Sequence, residues 1–278
     1  MRPILFTFPG LDWPLQAYGF FIGVALIAGW LISLSLARRD ELPVDLLGTS
    51  YVLTVAVGLF GARAGWLLQN PDRWDGFPSL FVLQADALAP FVGVTLALLV
   101  SAAHVGRRRL APLAWWDAAA PAFAVGFVLE RIGALMAGAA YGRYAPDLPF
   151  AIQYPVGSPA HRHHLRELAQ LMPADAVSSL PVHPVPLYGV LVGLVGLAVC
   201  VVLRRRRRFV GQVFLAFAIV LLLGRSFLEE PFRANAASAV FGPFDPGQLM
   251  AVLLAAVLGG MYVSRIRRAE PEPAKSDG

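Results

Sequence analysis

The stretch VGFVLERIGALMAGAAYGR, residues 125–143, decides the class of fold. It is almost wholly apolar or small, yet Glu130 and Arg131 lie side by side within it. A helix of a water-soluble protein places such charges on a solvated face, but this segment has no polar face. An arginine inside a membrane helix is costly and therefore faces the interior of a helix bundle. The stretch thus predicts a buried pair of charges in a membrane protein.

The composition of the whole chain agrees with this class. Of the 278 residues, 57% are hydrophobic and 15% are charged, whereas a soluble globular domain has about 25% charged residues. The mean hydropathy is +0.62. The one cysteine, Cys200, excludes an intramolecular disulfide. The first residues lack the pattern of a removable signal peptide, so we expect the first apolar run to stay in the membrane.

Seven runs reach the length of about 20 mostly apolar residues that a membrane-spanning helix needs. They cover approximately residues 15–37, 48–69, 83–103, 113–140, 184–203, 209–229 and 243–264. We therefore predict an all-α integral membrane protein with seven transmembrane helices, in which residues 1–268 form a single polytopic membrane domain. Residues 269–278 are polar and proline-rich, which predicts a disordered cytoplasmic tail.

Basic residues collect in every second connection of this scheme and therefore indicate its orientation. They are Arg38 and Arg39, Arg107 to Arg109, Arg204 to Arg208, and Arg265, Arg267, Arg268 and Lys275, which are 14 of the 23 basic residues. The positive-inside rule makes these connections cytoplasmic and places the N-terminus outside. The loop at about 141–183 is then an external subdomain, in which HRHHLRELAQLM (161–172) predicts a short amphipathic helix. The run 204–208 is read as a cytoplasmic anchor and not as a nucleic-acid site.

Three arginines, Arg63, Arg131 and Arg225, lie towards the outer ends of the predicted spans, and Arg233 lies just beyond one of them. A guanidinium group matches phosphate oxygens bidentately, so several at one depth favour a site for a phospholipid headgroup. The alternative is that each arginine pairs with a nearby acid and only locks helices together. Those acids are Glu130, Glu229 and Glu230.

Six motifs in this order resemble those of the prolipoprotein diacylglyceryl transferases of bacterial inner membranes. They are AYGFFIG (17–23), GARAGWLLQNP (61–71), ERIGALMAGAAYGR with LPFAIQYP (130–143 and 148–155), HPVPLYG (183–189), GRSFLEEPFR (224–233) and DPGQLMA (245–251). The resemblance covers most of the chain. It implies a multi-pass protein of the inner (plasma) membrane, with its site towards the periplasmic leaflet and the 141–183 loop in the periplasm.

The chain departs from the family pattern at several polar positions. The family signature runs Gly-Arg-x-Gly-Asn-Phe-x-Asn-Gly-Glu-x-x-Gly, and this chain keeps Arg131, Gly133 and Gly142. Alanines stand for the two Asn and the Glu, Leu88 is nearest a missing third-span His, and Pro186 and Gly189 replace Gln and Glu. The alanines are Ala134, Ala137 and Ala139. GRSFLEEPFR fits only with one extra residue, so Glu229 and Glu230 both remain candidates for the family's acidic position.

The resemblance implies transfer of the diacylglyceryl group of phosphatidylglycerol to the lipobox cysteine of a preprolipoprotein signal peptide, with a thioether formed and glycerol phosphate released. Arg131 and Arg225 are the expected phosphate clamp, and Arg63 and Arg233 are further candidates. Tyr18 is expected to donate a hydrogen bond to the lipid. Gly142 would let the backbone approach the headgroup. No metal or cofactor is expected.

The thiol must lose a proton, and the sequence leaves several bases open: Glu130, Glu229, Glu230 and His183. His183 can instead cap the helix that follows it. Tyr188 is a further candidate for substrate binding, although it and Tyr18 can also be interfacial anchors. The histidines at 161, 163 and 164 lack a carboxylate or cysteine to complete a metal shell.

Two other functions compete with the transferase. The lost polar positions favour a catalytically inactive relative that binds phospholipid or lipoprotein precursor. Intramembrane charges alone also fit a small-solute transporter, but such a protein should carry polar residues along the full depth of its bundle, and here the charges crowd the outer half.

Overall fold

The computed structural model describes residues 3–8, 13–81, 87–173, 175–234 and 244–269. Within these ranges, six helices are long and apolar enough to cross a membrane. They are α1 (Ala17–Arg39), α2 (Val44–Gln69), α4 (Pro112–Ala137), α6 (Val185–Arg205), α7 (Gln212–Gly224, continuing in other helical turns to Phe232) and α8 (Pro246–Arg268). The all-α membrane bundle is therefore present. The predicted tail, beyond Ala269, lies outside the described residues.

The third predicted span is a shorter apolar helix, α3 (Pro90–Gly106), of 17 residues. Prolines favour the first helical position because their missing N–H would have no partner there, and the helix begins at Pro90 instead of near residue 83. Residues 83–86 of the prediction lie outside the described residues. Whether α3 makes a seventh crossing stays a prediction.

Two short antiparallel strands precede the bundle, and the sequence reading did not predict them. They are β1 (Ile4–Phe8) and β2 (Trp13–Gln16). The Ala17 N–H at the start of α1 donates to the Pro3 carbonyl at 2.8 Å, so the strand pair is joined directly to the first helix.

Helix α4 lies at the centre of the bundle and packs against α1, α6 and α7, while α2 packs mainly against α3. Pro121, inside α4, does not end the helix. Small residues allow the close approaches: a Cβ on Gly133 would lie 2.8 Å from Phe21 Cβ in α1, and a Cβ on Gly193 would lie 2.6 Å from Val128 Cγ2 in α4. Because α4 touches three helices, a charge near its end can reach all of them.

The segment between α4 and α6 folds over one end of the bundle around a small core of Tyr141, Tyr154, Ala160 and Val182. Helix α4 ends at Gly138, whose left-handed φ of 71° suits a helix C-cap. The predicted amphipathic helix is α5 (Pro159–Glu167), which ends five residues earlier than the predicted stretch.

Histidines, and not leucines, form the inward face of α5. His164 Nδ1 accepts a hydrogen bond from Leu180 N–H at 3.1 Å, and His161 Nδ1 accepts one from Gly157 N–H at 3.4 Å. Burial and the neighbouring His163 and His161 lower the pKa of His164. Both rings are thus used to hold the chain of this segment together, and Leu165 on the other face is exposed.

Candidate active site

Five helices bring one end each to a common region, which we call the site end of the bundle. Here α1, α6 and α8 begin and α4 and α7 finish. A chain of side-chain contacts joins them: Tyr18 meets Glu130, Arg131 meets Gly189 and Glu229, and Gln248 meets Ser226. The site end therefore gathers residues from the whole length of the sequence.

Arg131 lies at the centre of this region and is 7% exposed. Its Nη2 is 3.1 Å from Glu229 Oε2, and Glu229 is itself 1% exposed. Its Nε is 3.4 Å from Glu130 Oε2, an ion-pair distance without hydrogen-bond geometry. The guanidinium carbon lies 4.8 Å from the centre of the Phe127 ring. A buried cation is tolerated only with such partners.

This ion pair is incompletely satisfied. Among the described residues, neither Arg131 Nε nor Glu229 Oε1 has a hydrogen-bond partner, although both atoms are buried. Buried polar atoms in native proteins are nearly always hydrogen-bonded, and exceptions often mark functional sites. The pair therefore retains hydrogen-bonding capacity for a further polar group.

Gly189 in α6 provides the space that Arg131 occupies. A Cβ at this position would lie 2.6 Å from Arg131 Cδ and 2.8 Å from its Nε. No side chain fits there unless the arginine moves. The replacement of the family's Glu by glycine thus lets Arg131 lie against the backbone of α6.

Arg225 is the second arginine that the structure brings to the site end. The charges of Arg131, Arg233, Glu130 and Glu229 all act on it. Within the described part of the chain, no hydrogen bond or salt bridge holds its guanidinium group. Arg225 therefore lies within electrostatic range of Arg131 and Glu229, and Glu229 pairs with Arg131.

Arg225 and Glu229 lie on a π-helical turn, Arg225–Glu229, that continues α7. A π turn contains more residues than an α turn, and it usually occurs as a single insertion near a functional site. This turn lies within the motif GRSFLEEPFR, which fits the family pattern only with one extra residue. It directs Glu229 to Arg131, and Glu230 pairs with Arg233 instead.

Tyr18 and Glu130 form the α1 side of the site. The Tyr18 hydroxyl donates to Glu130 Oε1 at 3.4 Å, a long hydrogen bond. Glu130 thus lies between a phenol and a guanidinium group, with its side chain 25% exposed. This carboxylate is the more accessible of the two that flank Arg131.

His183 and Tyr188 form a second group at the beginning of α6. His183 Nδ1 lies 3.1 Å from the Tyr188 hydroxyl, and the imidazole packs 4.8 Å from the Phe232 ring. Burial and the nearby positive charge of Arg143 lower the pKa of His183. The imidazole is therefore neutral near pH 7 and able to accept a proton.

Gly142 lies where three segments cross. Its N–H donates to the His183 carbonyl at 3.1 Å, and a Cβ would lie 2.5 Å from that oxygen and 2.8 Å from the Phe232 carbonyl. The close backbone approach predicted for Gly142 is thus made to protein. Its expected contact with a headgroup stays a prediction.

The other two predicted arginines have partners of their own. Arg233 Nη1 donates to both Glu230 oxygens at 3.1 Å, in a partly exposed pair. Arg63 donates from Nε to the Ser79 carbonyl at 2.8 Å and from Nη1 to the Ala87 carbonyl at 3.0 Å. Arg63 therefore holds the connection between α2 and α3, and its predicted role in substrate binding is untested.

Comparison with known proteins identifies the family. The family described as prolipoprotein diacylglyceryl transferase matches residues 3–264. The chain belongs to this family. A Thermus thermophilus protein named phosphatidylglycerol–prolipoprotein diacylglyceryl transferase is 29% identical over 224 residues, covering 78% of this chain and 80% of that protein.

Two further relatives carry the same name. The Geobacter sulfurreducens protein is 29% identical over 257 residues, with 89% of each chain covered. The Gluconobacter oxydans protein is 28% identical over 264 residues, with 88% of each chain covered. These matches span the site end and the whole bundle, so the resemblance read from six short motifs is confirmed.

The departures from the diacylglyceryl transferase signature lie together in the structure. Ala134 and Ala139 form a buried apolar cluster with Tyr18, and Ala137 packs against it. Methyl groups thus replace amide and carboxylate groups on this wall. At position 130, where the signature begins with glycine, the chain carries a glutamate that contacts both Tyr18 and Arg131.

The sequence reading assigned no role to Gln248 or Phe127, although both contact the transferase site. Gln248 Nε2 donates to the Ser226 carbonyl at 2.7 Å, within the π turn. The motif DPGQLMA contained the signal for Gln248, because a buried glutamine in an apolar helix needs polar partners. Phe127, four residues before Arg131 on α4, was detectable from helical spacing.

Proposed function

We propose that this chain transfers the diacylglyceryl group of phosphatidylglycerol to the lipobox cysteine thiol of preprolipoproteins. The main support is that Arg131 and Arg225, from separate helices, lie within electrostatic range of each other in a chain that belongs to the transferase family. The relatives are named for phosphatidylglycerol and prolipoprotein, which are the two substrates proposed here.

The reaction needs positive charge where the phosphate leaves. The cysteine sulfur forms a bond to the glyceryl carbon that carries the phosphate ester, the carbon–oxygen bond of that ester breaks, and glycerol phosphate departs with the electron pair. Arg225, which has no ion pair within the described residues, and Arg131 are the proposed donors to the phosphate oxygens. Glu229 holds Arg131 in place.

The reaction also needs a base, because the thiolate is the nucleophile. His183 is the preferred candidate, since its lowered pKa keeps the imidazole neutral and Tyr188 fixes the ring. Glu130 is the second candidate, because its 3.4 Å contact with Arg131 is the longest of the three acid–arginine pairs and its side chain is the most exposed, whereas Glu229 and Glu230 each lie 3.1 Å from an arginine. Tyr18, Arg233, Glu230, Tyr188, Gly142 and Arg63 are proposed to complete the binding region.

We further propose a seven-span topology in the bacterial inner membrane, with residues 1–268 as one membrane domain. The N-terminus and the 141–183 loop would lie on the periplasmic side and the C-terminus in the cytoplasm, with the site facing the periplasmic leaflet. Arg38, Arg39 and the α8 arginines lie at the helix ends opposite the site, which supports this orientation. With 17 residues, α3 would be about 25 Å long, close to the hydrocarbon thickness.

The direct experiment uses the purified full-length chain in phosphatidylglycerol vesicles with a lipobox peptide. The expected result is a gain of one diacylglyceryl group on the peptide cysteine, detected by mass spectrometry. A peptide with serine at that position should stay unmodified. Complementation of a bacterial strain depleted of its own transferase tests the same activity in cells.

A non-catalytic relative is the second candidate, and the alanines at positions 134, 137 and 139 favour it because they remove polar groups from the site wall. It predicts that the vesicle assay gives phosphatidylglycerol binding and no mass gain. A solute transporter is the least favoured function. Solute flux that is abolished by Arg131→Ala would support it.

A further inference from the structure

The π turn that carries Arg225 and Glu229 leaves one backbone carbonyl without a partner in its own helix. In an α or π turn, the Ser226 carbonyl would bond the N–H of residue 230 or 231. The Glu230 N–H already bonds the Arg225 carbonyl, and Pro231 has no N–H. An unpaired carbonyl in this buried position is costly.

Gln248 at the start of α8 supplies the missing donor. Its Nε2 donates to the Ser226 carbonyl at 2.7 Å, and the side chain is buried, at 6% exposure. The other end of the carboxamide is also fixed: Oε1 accepts from Asp245 N–H at 3.0 Å. In return, the Gln248 N–H donates to Asp245 Oδ1 at 2.9 Å, which completes a capping box at the beginning of α8.

We propose that Gln248 is a positioning residue for the transfer reaction. By holding the Ser226 carbonyl it fixes the π turn, and it thereby sets where Arg225 and Glu229 lie relative to Arg131. This inference rests on the proposed function. Ser226 lies between Arg225 and Glu229 in the turn, so a shift of its backbone moves both charged groups, and a misplacement of about 1 Å can reduce a rate about 100-fold.

The chain contains a matched control, Gln212 at the beginning of α7. Its Oε1 accepts from Arg208 N–H at 2.6 Å, and its Nε2 donates to the Tyr262 hydroxyl at 3.0 Å. Gln212 also joins α7 to α8 and is 3% exposed, but it does so at the opposite end of the bundle. We expect loss of the Gln212 donor to affect stability alone, and loss of the Gln248 donor to affect both stability and the transfer reaction.

The test compares Gln248→Glu with Gln212→Glu in the full-length chain, reconstituted in phosphatidylglycerol vesicles. Each glutamate keeps an oxygen for the local backbone N–H and loses the donor to the neighbouring helix. Q248E is expected to lower kcat/KM per folded molecule by about tenfold or more, whereas Q212E stays within about twofold of the parent. The melting temperature should fall in Q248E and fall less in Q212E, because the Tyr262 hydroxyl can donate to the new carboxylate whereas the Ser226 carbonyl cannot.

The pH profile separates positioning from general loosening. A protonated carboxyl group regains an O–H that can donate to the Ser226 carbonyl. The ratio of the Q248E rate to the parent rate should therefore rise as pH falls, while the ratio for Q212E stays flat. Pro231→Ala should also restore part of the Q248E rate, because it returns an N–H to the position that faces this carbonyl.

The inference is wrong if folded Q248E transfers at the parent rate, or if Q212E loses as much activity as Q248E. If Q248E does not accumulate, Gln248→Met removes the donor without adding charge and takes its place. If the parent protein forms no thioether at all, the proposed function fails. Gln248 is then judged by phosphatidylglycerol binding, where an unchanged Kd in Q248E overturns the inference.

Discussion

The two ends of the helix bundle both bury a charged side chain, but they complete its hydrogen bonds differently. At the end opposite the site, Asp117 in α4 is 0% exposed. Its two oxygens accept from Gly211 N–H at 2.7 Å and Phe214 N–H at 2.8 Å, where α7 begins. Arg207 lies 3.8 Å away. This carboxylate caps a helix, and its oxygens both have partners.

At the site end, Arg131 has a carboxylate partner, but its buried Nε has no hydrogen bond among the described residues. The buried Oε1 of Glu229 has none there either. Arg225, beside them, has no ion pair within the same residues. Buried charges are expensive in both places. Asp40 Oδ2, at the end opposite the site, is also buried without a hydrogen bond in the described part of the chain, although it lies 3.5 Å from Arg207. The contrast therefore concerns Asp117 and Arg131: we propose that the first stabilises the fold and that the second keeps a donor for a ligand.

The largest effect should come from Arg131→Lys. Lysine keeps a charge for Glu229 but loses the planar fork that binds phosphate oxygens bidentately. Transfer per folded molecule should fall about 100-fold or more, with little change in melting temperature. Arg204→Lys, which affects an arginine paired with Asp40 at the opposite end of the bundle, is the comparison variant and should leave transfer near the parent value. If Arg131→Lys instead loses stability and keeps normal activity, the charge at the site end serves the fold, as the charge at the opposite end does.

The next largest effect should come from His183→Gln, with a loss of transfer of up to about 100-fold if the imidazole is the base. Because burial and Arg143 lower the pKa of His183, the neutral ring persists below its ordinary titration range. Activity should be constant above this lowered pKa and fall as pH drops through it.

Arg143 gives a sharper form of this pH experiment. Arg143→Gln removes a positive charge, so the pKa of His183 should rise and the acid limb of the pH–rate profile should move to higher pH. Arg143→Lys keeps the charge and should leave the limb in place. An acid limb that is the same in all three proteins would remove His183 from the mechanism and favour Glu130.

A substitution at the end opposite the site should change the stability of the protein and not its transfer activity. Asp117→Ala removes the acceptor for two N–H groups of α7 and should lower the free energy of unfolding by about 2 kcal/mol. Transfer per folded molecule should stay near the parent value, because Asp117 contacts no residue of the site. Thermal unfolding in detergent and the vesicle assay on the same preparation check this. A loss of activity that exceeds the loss of folded protein would contradict it.

The helices of the bundle were predictable because the hydrocarbon thickness imposes a long apolar run on each span. Helix α4 formed despite Pro121, within a few residues of its predicted bounds. The strands β1 and β2 were missed, since runs of five and four residues give little periodicity. The start of α3 was also wrong, because proline and not hydropathy marks it.

The site was predictable as a set of residues, but its pairing was not. An arginine inside a membrane helix has a high free-energy cost and is therefore conspicuous in an apolar sequence, so Arg131 and Arg225 could be named from the sequence. The choice between Glu229 and Glu230 depends on a π turn, and one residue on a helix changes direction by about 100°. The π turn depends in turn on Pro231 and on Gln248, which is 22 residues from its partner Ser226. Such pairing exists only after the helices have packed.

The smallest effect should come from Tyr18→Phe, and it tests how far the site extends towards α1. The hydroxyl donates to Glu130 over 3.4 Å, a distance at which a hydrogen bond is weak. If the phenol only orients Glu130, its loss should reduce transfer about threefold, without a change in the pH profile. If the hydroxyl instead contacts the reacting lipid, the reduction should approach that of Arg131→Lys. Steady-state kinetics of Tyr18→Phe, of Glu130→Gln and of the double variant distinguish the two. Losses that add in the double variant mean that the hydroxyl acts on the lipid. A double variant that is no worse than Glu130→Gln alone means that the hydroxyl acts through the carboxylate.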